Sequence, residues 1–226
     1  MQRRYTTTDL QKVLKRKDAW WTVLVIDKIA IPLTLFFANY MPFLSPNIFT
    51  LLSLILSLTA AYSFFHGHMV QGALLYELSF LFDCIDGKLA ALTNRQSLVG
   101  LWLDKISDKF RLFFNTVALT FPHYALIGII FLFMYLWDEV DAVSYENIAL
   151  KNNKDKYSNV NKTSGFTGFL LKRRLALLPS AVEMDTMAFF VGPLLSVKWG
   201  FIAGILIAIV RKLAIHYHFK LGNALK

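Results

Sequence analysis

Hydrophobic and polar residues in this chain are grouped in long blocks. Residues 1–18 are polar and basic, with Arg3, Arg4, Lys12, Lys15, Arg16 and Lys17. Residues 19–40 are apolar but interrupted by Asp27, Lys28 and Pro32, and they open with Trp20 and Trp21. That pattern predicts an amphipathic helix lying in a membrane interface, with the tryptophans at headgroup level; a tilted span is the alternative. Apolar runs follow at 47–65, 70–92, 98–121, 122–137, 176–196 and 197–217, most of them near the ~20 residues that cross a bilayer as a helix. The run at 176–196 is broken by Pro179, Glu183, Asp185 and Pro193. A polar, lysine-rich stretch fills 138–174. The expected fold is all-α and polytopic: an N-terminal part, 1–45, with the interfacial helix, then a membrane domain of six transmembrane helices, 46–217, that includes a cytoplasmic basic loop at 138–174.

Composition agrees. Apolar residues make up 56 % of the chain and the mean hydropathy is +0.47, where soluble domains run near ~45–50 % apolar. The net charge of +9 would suggest nucleic acid on a soluble protein. Here the basic residues lie between apolar runs, so orientation in the membrane and contact with anionic lipid account for them, and no nucleic-acid partner is expected. With the N-terminus in the cytoplasm and six alternating spans, Lys198 alone among lysines and arginines falls outside; the outer turns otherwise carry His66, His68 and His123. This predicts a multi-pass cell-membrane protein with a cytoplasmic N-terminus. The polar opening is not expected to act as a cleaved signal peptide. The single cysteine, Cys84, excludes an intrachain disulfide and reads as a packed side chain. Asn161-Lys162-Thr163 fits a glycosylation sequon but falls in the predicted cytoplasmic loop, so it reads as chance.

Four aspartates stand out against this apolar background. Asp83 and Asp86 are spaced i, i+3, and Asp104 and Asp108 i, i+4, so each pair shares a helical face. The two helices are consecutive and joined by a short turn, which puts all four carboxylates at one, cytoplasmic, depth. Ionised carboxylates in a membrane segment cost roughly 2.5–3.5 kcal/mol each on insertion scales. A divalent cation offsets both that cost and their mutual repulsion, and hard oxygen ligands suit Mg²⁺, Mn²⁺ or Ca²⁺. The plainer reading is helix capping, or pairing with Lys88, Arg95, Lys105 and Lys109. Gly87, Ala90 and Gly100 are small residues near the carboxylates that allow close approach of a ligand or of another helix.

Asp83-Cys84-Ile85-Asp86-Gly87-Lys88-Leu89-Ala90, followed by Gly100, Asp104 and Asp108, resembles the signature of the CDP-alcohol phosphatidyltransferase family, D-x-x-D-G-x-x-A-R, eight residues, then G-x-x-x-D-x-x-x-D. Seven of the eight fixed residues match; the family arginine is replaced by Ala91. Pro46-Asn47-Ile48-Phe49-Thr50 also looks like the family's lead-in to the first span. The resemblance implies transfer of a phosphoalcohol from a CDP-alcohol, such as CDP-diacylglycerol, to an acceptor alcohol with release of CMP, in phospholipid biosynthesis. It implies two metal ions, Mg²⁺ or Mn²⁺, on Asp83, Asp86, Asp104 and Asp108, with Asp108 also the base for the acceptor hydroxyl. Gly87, Ala90, Lys88, Arg95, Gly100, Asn47 and Thr50 are then the CDP-binding candidates, with Arg95 expected to supply the charge lost at Ala91 and Lys88 the alternative. Partners are the donor, the acceptor alcohol, membrane lipid and a second copy as a homodimer.

Further residues carry weaker signals. Lys172, Arg173 and Arg174, with Arg211, are candidates for binding a phosphate on the acceptor, or simply anchors on anionic lipid. Glu183 and Asp185 either contact a polyol acceptor or pair with Arg211. His216 and His218 read as interfacial. Competing functions are a prenyl-diphosphate-type transferase, a divalent-cation transporter and an inactive relative of the family.

Overall fold

The computed structural model describes residues 4–151 and 165–224. Among the described residues every regular element is helical, apart from one isolated parallel bridge between Asp18 and Leu175.

The polar opening holds a short helix, α1 (Thr7–Val13), that its lack of an apolar run concealed. It starts with a capping box: Thr6 accepts from the Asp9 backbone N–H, and the Asp9 carboxylate accepts from the Thr6 N–H. A π-helical turn, Thr22–Ile26, leads into α2 (Asp27–Tyr40). The expected interfacial helix is thus a continuous segment, Thr22–Tyr40. By length and composition it is able to cross a membrane, as are Pro46–Phe65 and Val197–His216. Its tryptophans are tied into the protein. Trp20 Nε1 donates to Ala176 O (2.7 Å), and Trp21 Nε1 donates to Glu77 Oε2 (3.2 Å).

Helix α3 (Pro46–Phe65) begins with proline in its first turn, where the missing N–H costs nothing. Helix α4 (Met69–Leu92) runs back along it, and α5 (Leu98–Thr120) returns after a turn in which Asn94 takes a left-handed conformation (φ 54°). Ser97 caps α5 by accepting from Gly100 N at 3.0 Å. This short connection makes α4 and α5 neighbours, and α3 packs against both.

Helix α6 (Ala125–Lys151) continues well past the predicted end of its span at 137, so the basic stretch begins as helix. The extension is held by ion pairs to α10 (Val197–Ala224): Arg211 Nη1 to Asp138 Oδ2 at 2.7 Å, and Lys212 Nζ to Asp141 Oδ2 at 2.5 Å. Between them lie α7 (Phe166–Lys172), α8 (Ala181–Asp185), a π-helical segment (Thr186–Val191) and α9 (Gly192–Leu195). Residues 181–195 therefore form one helical passage, shorter than the predicted 176–196. Helix α9 meets α10 backbone to backbone. A Cβ on Gly200 would sit 2.5 Å from both Gly192 Cα and Met187 O, so only glycine fits.

Two apolar clusters hold the helices together. One centres on Phe64, Tyr76, Phe131, Phe189 and Phe201, joining α3, α4 and α6 to α10 and the 181–195 passage. The other centres on Leu10, Ile26, Phe49, Ile85 and Leu89, and seats α1 and α2 against α3 and α4. The aspartate pairs stand on α4 and α5.

Candidate active site

The chain brings the four predicted aspartates to one end of the α4–α5 pair. Oxygens of Asp83, Asp104 and Asp108 lie within 4.8 Å of one another, which makes this triad a group able to hold a metal ion. Asp86, one turn along α4 from Asp83, is buried and faces an adjoining cavity. Its Oδ2 has no hydrogen-bond partner among the described residues. Convergent carboxylates with a spare buried oxygen are the donor set that a hard divalent ion requires, so the residues present fit such an ion.

The cavity has a volume of about 480 Å³ and lies between the start of α3, the end of α4 and the start of α5. Asn47, Thr50, Asp86, Gly87, Ala90, Arg95, Gly100 and Asp104 line it, with Pro46, Gln96, Ser97, Leu98 and Leu101. Six of the seven residues expected at a nucleotide therefore share one concavity. Gly87 leaves it open: a Cβ there would meet nothing within 4 Å. Gly100 does the opposite job. A Cβ there would lie 2.9 Å from Asn47 Oδ1, so the glycine lets α5 come close to α3.

Lys88 is the residue the cavity does not include. Its Nζ lies 2.9 Å from Asp27 Oδ1 and donates to Cys84 O at 3.3 Å. Of the two charges near Ala91, Arg95 is the expected substitute and Lys88 the alternative, and the geometry separates them. Arg95 lines the cavity, with Nη1 donating to Pro42 O (2.6 Å) and Leu44 O (3.4 Å) at the approach to α3.

The basic residues considered for an acceptor phosphate are distributed differently. Arg174 donates from Nη1 to Asp27 Oδ2 (3.0 Å) and from Nε to Lys15 O (3.0 Å). Arg173 stacks over Phe169 at 4.6 Å, and Lys172 is exposed. Arg211 pairs with Asp138, which corrects its expected pairing with Glu183 or Asp185. Asp138 lies on the helical extension of α6 that the sequence read as loop. Glu183 closes the capping box of α8 with Ser180 and accepts from Trp21 N at 3.0 Å. Asp185 accepts from Tyr135 Oη at 3.2 Å. The His218 side chain and the sequon at Asn161 lie outside the described residues; His216 is exposed on α10.

One site residue escaped the sequence reading. Arg111, on α5, is 4 % exposed. Its Nη1 is 2.8 Å from Asp83 Oδ1, 3.7 Å from Asp108 Oδ1 and 3.2 Å from Ser53 Oγ. The available signal was an arginine inside an apolar run, one turn after Asp108 and on the same face.

With this geometry in place, comparison with known proteins decides the family. The family model for CDP-alcohol phosphatidyltransferase matches residues 43–210, most of the chain and all four aspartates. The chain belongs to this family. No curated protein matches it. A CDP-alcohol phosphatidyltransferase is a membrane transferase that moves a phosphoalcohol from a CDP-alcohol to a second alcohol and depends on a divalent cation. The aspartate triad of this family member is where such a cation fits.

Proposed function

We propose that this CDP-alcohol phosphatidyltransferase transfers a phosphatidyl or similar phosphoalcohol group from a lipid-linked CDP-alcohol, such as CDP-diacylglycerol, to an alcohol acceptor in phospholipid biosynthesis. The observation that carries the reading is the cavity bounded at once by Asp86, by Asp104 and by the open face of Gly87. It offers room for a nucleotide directly beside a carboxylate cluster. Two divalent ions bound to Asp83, Asp86, Asp104 and Asp108 would offset the carboxylate charge and the charge on the donor diphosphate.

The chain's own groups do the rest. Gly87 and Ala90 admit the nucleotide close to α4. Arg95 contributes positive charge where the family signature has arginine in place of Ala91. Asp108, opposite Asp83, accepts the proton of the acceptor hydroxyl as its oxygen bonds to the phosphorus that carries the donor's alcohol. The bond from that phosphorus to the bridging oxygen breaks, and CMP departs with that oxygen. In the membrane layout that accompanies this reading, six helices span the bilayer, the N-terminal helix rests in the interface, and the cavity opens to the cytoplasm. The protein acts as a homodimer.

Binding of labelled CDP tests substrate and orientation together. In sealed right-side-out vesicles the protein is expected to bind no added CDP until the vesicles are opened. Binding then requires Mg²⁺ or Mn²⁺ and is lost in Asp86→Asn. A site that prefers a prenyl diphosphate over CDP, or metal flux without nucleotide binding, would replace this reading with a prenyl-type transferase or a transporter.

A further inference from the structure

The carboxylate cluster already contains a cation of its own. Arg111 is almost fully buried, and its guanidinium lies against the oxygens that would hold a metal ion: 2.8 Å from Asp83 and 3.7 Å from Asp108. Its surroundings fix it there. Ser53 Oγ accepts from Nη1 at 3.2 Å, and the guanidinium lies over the rings of Tyr76 (5.8 Å) and Phe80 (5.9 Å). Ser53 is itself held between helices, with Ser79 Oγ donating to Ser53 O at 2.8 Å. One turn further along α5, Asn115 Nδ2 donates to Ser57 Oγ at 2.8 Å, which locks α5 to α3 beneath the arginine.

This placement has two physical consequences. Carboxylates packed together repel one another and tend to splay; a guanidinium between two of them offsets that repulsion and holds them in place. The same positive charge also opposes any second cation brought to the same oxygens.

We propose that Arg111 is a positioning residue that acts as the built-in counter-ion of the metal site. It holds Asp83 and Asp108 in register and weakens divalent-ion binding, so that the ion is held firmly only once a donor diphosphate adds its negative charge. The proposal rests on the reading of the aspartates as metal ligands. Arg111 lies outside the D-x-x-D-G…D-x-x-x-D signature.

The test measures Mn²⁺ binding to the purified protein by electron paramagnetic resonance, without nucleotide. Arg111→Gln is expected to bind Mn²⁺ about tenfold more tightly than the unmodified protein, the factor that corresponds to about 1.4 kcal/mol. At saturating metal its kcat is expected to fall at least tenfold, because Asp83 and Asp108 lose their tie. A merely structural arginine predicts the opposite sign, since a loosened cluster binds metal more weakly. Unchanged or weaker Mn²⁺ binding in Arg111→Gln therefore overturns the proposal. Arg111→Lys keeps the charge and serves if the glutamine variant does not fold. It is expected to bind Mn²⁺ within about twofold of the unmodified protein, and a tenfold departure overturns the charge-based account. Asp104→Asn is the control. It is expected to lose Mn²⁺ binding, and retention there would remove the metal reading itself.

Discussion

At the scale of single residues, Gly87 is a glycine that packing does not require, and it lines the cavity proposed for the nucleotide. It sits inside α4, where glycine costs roughly 0.5–1 kcal/mol of stability relative to alanine, and no neighbour requires its small size. The space beside it is the cavity. Gly87→Ala is therefore expected to keep or slightly raise the melting temperature in detergent while weakening CDP binding at least tenfold. Thermal unfolding and CDP titration on the same sample check both halves; undiminished CDP affinity would place the nucleotide elsewhere. The sequence made Gly87 legible because it falls inside a spaced pattern of aspartates. Arg111 was hidden for the converse reason. Nothing along the chain shows that an arginine on α5 reaches back to Asp83 on α4, since the contact depends on how the two helices face each other. Lys88 stays a candidate beside Arg95 in the sequence for the same reason. Only the three-dimensional path of α2 shows that Asp27 has taken up Lys88.

At the scale of elements, the sequence revealed helices wherever apolar runs were long, and missed them where polar contacts do the holding. Helix α1 depends on a capping box, and the far half of α6 on ion pairs to α10. Asp27, an interruption in the apolar run of α2, is the central residue of a buried network. It lies 2.9 Å from Lys88 on α4 and 3.0 Å from Arg174, beside the start of the 181–195 passage. Arg174 also approaches Asp18 at 4.0 Å, and its carbonyl accepts from Asp18 N at 2.8 Å. The N-terminal segment is thereby tied to the motif helix and to the passage that follows the basic stretch. Removing one member of a buried ion pair costs about 3–5 kcal/mol, because the partner is left uncompensated. Asp27→Ala strands two cations at once. It is expected to lower the melting temperature clearly in detergent. An unchanged melting temperature would mean that solvent or lipid already screens these charges.

At the scale of the whole molecule, two halves meet at the aspartates. Helices α3, α4 and α5 form the cavity proposed for the nucleotide, and α6, the 181–195 passage and α10 pack together through Phe131, Phe189 and Phe201. Asp108, in the triad with Asp83 and Asp104, is the residue proposed above as the base for the acceptor hydroxyl. The measurement that tests this account most directly is CMP release by the purified protein in lipid, supplied with CDP-diacylglycerol and Mg²⁺ or Mn²⁺ and given one acceptor alcohol at a time, with Asp108→Asn in parallel. The account predicts CMP release that requires an acceptor and falls by at least a hundredfold in the variant, within the ~10²–10⁴-fold range of general-base catalysis. CMP release that is independent of any acceptor, or that persists undiminished in Asp108→Asn, would contradict it.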